Sequence, residues 1–201
     1  MPSLVVPFRG AKGKSRLGSL SGHARNELAC AMFEDVVEAC CAVGPTFVVG
    51  PIASVELGNE AVTILGEPGG GQGMAVRAGI SAAALASGGA GPFLVVNADL
   101  PCVTARDLLA LAGAVPEDGI AVVPAADGTT NALGLALPDL FVPLYGPGSA
   151  ARFAALAPSR TVEAPNLMDD VDTVRDLERL RKRLGTRTRK VFASLRTGAN
   201  A

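Results

Sequence analysis

Short apolar runs without polar alternation recur along this chain, separated by stretches whose apolar positions return at helical spacing. SLVVPF (3–8), TFVVG (46–50), AVTIL (61–65) and the centre of PFLVVNADLP (92–101) belong to the first kind. Unbroken apolarity of this length marks strands covered on both faces, as in parallel sheets. Ser21 can cap a helix reaching about residue 43, with Leu28, Met32, Val36, Val37 and Ala39 on its apolar face. GEPGGGQG (66–73) reads as a loop and residues 74–87 as an Ala-rich helix. Thr104 opens another helix, with Asp107 three places on in a capping-box-like arrangement. IAVVPA (120–125) and NALGLAL (131–137) flank Asp127-Gly128, a strong hairpin signal. A Gly-rich loop leads into a helix within YGPGSAARFAAL (145–156), and residues 161–164 add a short strand. DTVRDLERLRKRL (172–184) reads as a terminal helix capped by Asp172 or Thr173. Alternating strands and helices with an inserted antiparallel hairpin predict an α/β fold. It is expected as a three-layer α/β/α sandwich around a Rossmann-like, mostly parallel mixed sheet. No repeat or linker interrupts it, so residues 1–184 read as one domain and 185–201 as a basic C-terminal tail.

Charge sharpens that boundary. The net charge is only −1, but residues 181–201 hold seven bases and no acid, leaving 1–180 at a balance of −8. Such a tail can contact nucleic acid or a membrane; the plainer expectation is a solvated helix end and a frayed terminus. The four cysteines (Cys30, Cys40, Cys41, Cys102) have no metal or disulfide spacing and read as small core residues in a reducing compartment. MPSLVVPFRG shows no basic leader, and no run reaches the ~18 apolar residues of a spanning helix. A cytoplasmic protein is expected, with small-molecule partners, no nucleic acid and no membrane, and a homodimer left open. The single histidine, His23, falls at a helix start, which speaks against a Ser–His–Asp triad or a multi-histidine zinc site. With no Trp and one Tyr, aromatic platforms for nucleic acid are largely excluded.

Candidate chemistry gathers at strand ends. Asp99 follows the central apolar run, at the carboxyl edge where open α/β sheets bind ligands. The loop PFRGAKGKSRLGSL (7–20) lies between a strand and a helix: Gly10 and Gly13 let backbone N–H groups approach an anion, and Lys12, Lys14 and Arg16 supply charge. Gly13-Lys14-Ser15 looks like the end of a Walker A loop, but Phe8 stands where that motif needs glycine. In GEPGGGQG, bare glycines allow close approach to a ribosyl or planar ligand, and Gln72 offers a donor and an acceptor to a base edge. Asp169 and Asp170 precede the last helix, and one of them could meet Asp99 across the sheet edge, while Asp172 is expected to cap. Two carboxylates plus phosphate oxygens suit magnesium. Thr129, Thr130 and Asn131, and Gly146-Pro147-Gly148-Ser149 with Arg152 one turn on, offer hydroxyls, N–H groups and a cation to a small anion. Capping by Ser149 is the plainer role there.

In order, VVPFRGAKGKSRL, GGGQG, VNADLP, GTTNAL, YGPGSAARF and DDVDT resemble the CofC/FbiD family within the MobA-like nucleotidyltransferases, over about residues 3–180. The resemblance implies a nucleotide-diphospho-sugar transferase-like fold. It also implies a guanylyltransferase that acts on a phosphorylated three-carbon acid in coenzyme F-420 biosynthesis, using GTP and Mg2+. It would assign Gly10, Gly13, Lys14 and Arg16 to the GTP phosphates, and Gln72 and Gly73 to the guanine or ribose. Asp99, Asp170 and Asp172 would bind magnesium, with the choice among Asp169, Asp170 and Asp172 left open, and Lys14, Arg16 and Asp99 would be catalytic. Thr129, Thr130, Gly146, Ser149 and Arg152 would bind the acceptor. The chain departs from the family's D-x-D pattern at Asn97, which leaves one metal or two open. Phosphoenolpyruvate is favoured over 2-phospho-L-lactate. The rivals are a MobA-like enzyme that guanylylates molybdopterin or uses CTP, and a catalytically silent nucleotide-binding protein.

Overall fold

The computed structural model describes residues 1–10, 17, 20–51 and 61–198. Seven strands form one sheet: β1 (Ser3–Pro7), β2 (Thr46–Val49), β3 (Val62–Leu65), β4 (Phe93–Val96), β5 (Ile120–Pro124), β6 (Thr130–Leu135) and β7 (Ser159–Thr161). Their order is β3-β2-β1-β4-β6-β5-β7. Only β6 runs antiparallel, between β4 and β5, so the Asp127-Gly128 hairpin inserts a reversed strand into a parallel sheet. β7 stops at Thr161, at the front of the stretch expected to extend.

The apolar runs explain the layers. Along β4, Leu94 and Val96 face one cluster with Phe33, Val36 and Val37 of α1 (Gly22–Cys41) and Leu108 and Leu111 of α3 (Ala105–Ala114). Phe93 and Val95 face the opposite cluster, with Val76 and Ile80 of α2 (Gln72–Ser87) and Phe153 of α4 (Ser149–Ala154). Both faces are buried, so the strand loses polar alternation. Helix α2 lies so close to β1 that a Cβ on Gly79 would sit 2.4 Å from Val5 Cγ1. Ser21 caps α1, and Thr104 with Asp107 forms a full capping box on α3, as the sequence indicates.

The carboxyl-terminal part departs from expectation. After α5 (Pro165–Met168), the 172–184 stretch folds only as α6 (Val174–Leu180), and the basic segment forms a further helix, α7 (Thr186–Gly198). Helix α7 packs along α1, and Leu184 and Phe192 enter a third apolar cluster with Leu17, Met32, Cys102, Val171 and Leu177. The buried Asp35 accepts the α7 amides of Arg187 (3.0 Å) and Thr188 (2.8 Å). Arg187 pairs with Glu34 and Glu38. Gly185 permits this approach, since a Cβ there would lie 2.3 Å from Asp35 Cγ. The basic end is therefore a docked helix through residue 198, because its charges surround an apolar stripe and meet acids on α1. Among the described residues, no helix is long and apolar enough to cross a membrane.

Candidate active site

Three carboxylates meet at the carboxyl edge of the central strands. Oxygen atoms of Asp99, Asp170 and Asp172 all lie within 4.8 Å of one another. Asp99 leaves β4 three residues after its end, and main-chain bonds bring the acidic run to it. Asn131, buried in β6, donates its amide to Met168 O (2.9 Å), fixing the point where the run begins. The Val171 amide then donates to Asp99 O (3.0 Å). The Val171 side chain is fully buried in the third cluster, while its half-buried neighbours Asp170 and Asp172 hold carboxylate oxygens near Asp99.

The neighbouring Asp169 has a different fate. Arg179 and Arg183 each reach its carboxylate at 2.5 Å. Burial pushes its pKa up, but hydrogen bonds and charge from the two arginines outweigh this and hold the carboxyl below the usual range. Asp172 does not cap α6. Thr173 is the N-cap, in a capping box with Asp176, which leaves Asp172 for the acidic corner.

A cleft opens beside this corner. One part is lined by Phe8, Arg9, Gly10, Gln72, Asn97 and Asp99. The adjoining part shares Arg9 and Gln72 and adds Gly73, Pro143, Tyr145 and Gly146. Gln72 and Gly73 do not end a loop, as expected, but form the first turn of α2. Gln72 donates to Asn97 Oδ1 (2.8 Å), and Asn97 donates to Thr130 O (3.0 Å). Asn97 thus serves as a brace, using both the donor and the acceptor that aspartate cannot combine. Gly73 faces Pro143 so closely that a Cβ would approach within 2.5 Å. Arg9, which the sequence reading passed over among four nearby bases, lines both parts of the cleft. Its place directly after a central strand was the available signal.

The acceptor-side residues are arranged differently from expectation. Thr130 and Ser149 are buried, and their hydroxyls lie 2.9 Å apart, bonded to each other rather than open to the cleft. Ser149 is the first helical residue and Gly148 the N-cap, so Ser149 does not cap either. Thr129 donates its hydroxyl and its amide to Asp127 Oδ1 (2.6 and 2.9 Å), shaping the hairpin turn. Arg152 folds back onto its own loop, donating to Pro147 O (2.5 Å) and Leu144 O (2.7 Å). Of this group, Gly146 lines the cleft, with φ of +116°. Lys12, Gly13, Lys14 and Arg16 lie outside the described residues. Burial pushes the Cys102 thiol up to about 11, so the cysteine nearest the corner in sequence stays protonated at neutral pH. His23 is exposed at the start of α1, as expected.

A mostly parallel sheet whose central strand leads to a carboxylate cluster beside a cleft can hold a phosphate-bearing ligand together with a cation. The fold agrees: a chain from Desulfovibrio desulfuricans described as a nucleotide-diphospho-sugar transferase superposes with a TM-score of 0.74 at 18% identity, covering 100% of this chain and 96% of that one. A nucleotidyl transferase from Methanothermobacter gives 0.66 at 18%, covering 90% and 96%. The MobA-like NTP transferase domain family matches residues 20–196, and this chain belongs to that family. The match runs through α7. Among curated relatives, phosphoenolpyruvate guanylyltransferase of Sphaerobacter thermophilus is 36% identical, over 88% of this chain and 90% of its own. The enzyme of the same name from Thermomonospora curvata is 34% identical, over 98% and 90%. 2-Phospho-L-lactate guanylyltransferase of Methanosphaerula palustris is 29% identical, over 88% and 82%. The chain is accordingly a nucleotidyltransferase of the MobA-like family.

Proposed function

We propose that this chain transfers GMP from GTP to the phosphate of a small phosphorylated three-carbon acid, with phosphoenolpyruvate as the acceptor and release of pyrophosphate. The observation that carries the reading is the carboxylate corner of Asp99, Asp170 and Asp172 at the mouth of the cleft. The names of the relatives that align along most of the chain support the choice of nucleotide and acceptor. The donor set fits Mg2+, a hard ion that takes carboxylate oxygens and keeps several waters. These three residues would hold it, and when bound it neutralises phosphate charge.

The chain's own residues then bind and orient. Gly10 and Gln72 line the part of the cleft that reaches Asp99, and Gly73 the adjoining part, where the nucleotide is held. Gly13, Lys14 and Arg16, which follow Gly10 in the sequence, are assigned to the triphosphate. An acceptor phosphate oxygen attacks the α-phosphorus in line. The new P–O bond forms as the bond to the bridging oxygen breaks, and pyrophosphate leaves with the electron pair. A phosphate monoester is largely ionised at neutral pH, so no general base is required. The exposed His23 and the protonated Cys102 agree with chemistry done by positioning and charge. Four free cysteines fit the reducing, cytoplasmic setting in which we place the enzyme, and its product would feed coenzyme F-420 assembly.

Pyrophosphate release tests the reading, with GTP or CTP and Mg2+, across phosphoenolpyruvate, 2-phospho-L-lactate and 3-phosphoglycerate. Fastest release with GTP and phosphoenolpyruvate is expected. GTP binding without turnover of any acceptor would make the protein a silent nucleotide binder, and preference for CTP would make it a cytidylyltransferase.

A further inference from the structure

The carboxylates of the acidic corner repel one another, so the chain must hold the acidic run against Asp99 before a cation arrives. The main-chain bond from Val171 N to Asp99 O does part of this. The rest of the frame passes through β6. Strands β5 and β6 slip there by one residue: Val123 pairs with Ala132 but Pro124 with Thr130, which leaves Asn131 as the extra residue of a β-bulge. Pro124 has no amide to give the ladder, and bulges are among the few places where a sheet accepts proline. A bulge re-aims a side chain. Strict alternation from Leu133 and Leu135, which pack with Phe153 of α4, would send Asn131 into that same layer. Its amide instead reaches the Met168 carbonyl at the end of α5, whose Leu167 packs with Ala132 in the opposite layer.

We propose that Asn131 is a positioning residue for the cation, setting the distance between the acidic run and Asp99 and with it the preference for a small, rigidly coordinated ion. Asn131 touches both walls of the corner. Its own carbonyl accepts from Asn97 N (3.0 Å), two residues before Asp99, and its side chain donates to Met168 O (2.9 Å), two residues before Asp170. The bond from Val171 to Asp99 closes this circuit, in which Asn131 supplies the one side-chain link. Met168 O is a main-chain carbonyl and only accepts, so the NH2 end of the amide must face it, and a leucine of similar size cannot replace it. The side chain is buried, where a carbonyl stripped of its donor is costly to leave in place. Without the link the run relaxes away from Asp99 under the repulsion of like charges. Mg2+ suffers most from that change, because it demands near-ideal octahedral geometry at short oxygen distances, whereas Ca2+ accepts longer and looser sets. The bulge thus tunes the ion while contributing no ligand to it.

This inference rests on the cation site in the proposed function, and its test separates the two. Asn131→Leu, and Asn131→Ala, which leaves room for a water at Met168 O, would be compared with the unmodified chain by paramagnetic resonance of Mn2+. The site counted is the one that Asp99→Asn removes, and Mg2+ and Ca2+ then compete for it. We expect the Mn2+ and Mg2+ dissociation constants to rise at least about tenfold in Asn131→Leu and by less in Asn131→Ala, with Ca2+ within about threefold. Asp35→Ala, which weakens the α1–α7 seam and leaves the circuit intact, should keep all three within about twofold. Unchanged Mn2+ and Mg2+ binding in a folded Asn131 variant would overturn the proposal. Equal losses for all three ions, or the same loss in Asp35→Ala, would also overturn it, since either reports a general softening of the fold. If Asn131→Leu does not fold, Asn131→Ala decides. If the unmodified chain holds no Mn2+ that Asp99→Asn abolishes, the cation site itself fails, whatever the Asn131 variants do.

Discussion

Acidic side chains meet two opposite fates in this molecule. At the α1–α7 seam, Asp35, Glu34 and Glu38 face donors that the chain itself supplies, namely two helix amides and the Arg187 guanidinium. At the sheet edge, Asp99, Asp170 and Asp172 face each other within 4.8 Å, where repulsion at a near-surface dielectric is roughly 3–4 kcal/mol per ionised pair. The seam uses carboxylates to join helices. The corner concentrates negative charge, an arrangement that an incoming cation relieves. Within five residues the same contrast repeats, since Asp169 is held by two arginines while Asp170 and Asp172 turn to Asp99. Counting acids in a sequence cannot separate these roles; where each carboxylate lies relative to the others and to the arginines can.

Removing charge from the corner should have the largest effect. Asp99→Asn is expected to lower pyrophosphate release by about a thousandfold or more, the scale of several kcal/mol of transition-state charge stabilisation, with the far-ultraviolet circular dichroism unchanged. Near-normal turnover would break the contrast with the seam. The seam should show the reverse pattern. Asp35→Ala strands two α7 amides beside a buried wall and should cost about 2–4 kcal/mol in urea unfolding, while turnover of the folded protein at low temperature stays within roughly threefold. If turnover collapses in step with stability loss at Asp35, the two regions are not separable.

Asn97→Asp asks whether one more acid enlarges the corner. The new oxygen would face Thr130 O in place of an N–H donor, so we expect about 1–3 kcal/mol of destabilisation and no extra Mn2+ bound per chain by paramagnetic resonance. The smallest effect belongs to Asp169. Its depressed folded pKa means its clamp contributes fully above the unfolded carboxylate value of about 3.9 and is lost as pH falls toward the folded value. Urea unfolding of the unmodified chain should weaken over that acid window, and Asp169→Asn should remove about 1 kcal/mol or less of that dependence, given the exposure of both arginines.

The strands were legible because double-sided burial writes itself as unbroken apolar runs, as in Phe93–Val96. The hairpin and the Thr104 cap were legible because Asp-Gly and Thr-x-x-Asp act locally. Asp99 and the acidic run were nameable as partners, but the sequence left open which of Asp169, Asp170 and Asp172 would meet Asp99, and the spacing could not say that Asp172 would leave the cap to Thr173. Helix α7 was hidden by its charge. Leu184, Thr188 and Phe192, four apart and all buried, carried the signal beneath the arginines. The Thr130–Ser149 pair and the Gln72–Asn97 bond were out of reach because each joins separate parts of the chain, and the fold-back of Arg152 because it depends on the path of its own loop.

The main-chain bond from Val171 to Asp99 has a practical meaning for anyone redesigning this protein. It ties the two walls of the acidic corner through backbone atoms, so this tie does not depend on which side chains they carry. Side-chain length then becomes an independent dial. Exchanging Asp170 or Asp172 for glutamate would move one oxygen by a methylene between walls that stay in place, which offers a route to a different cation preference without rebuilding the fold.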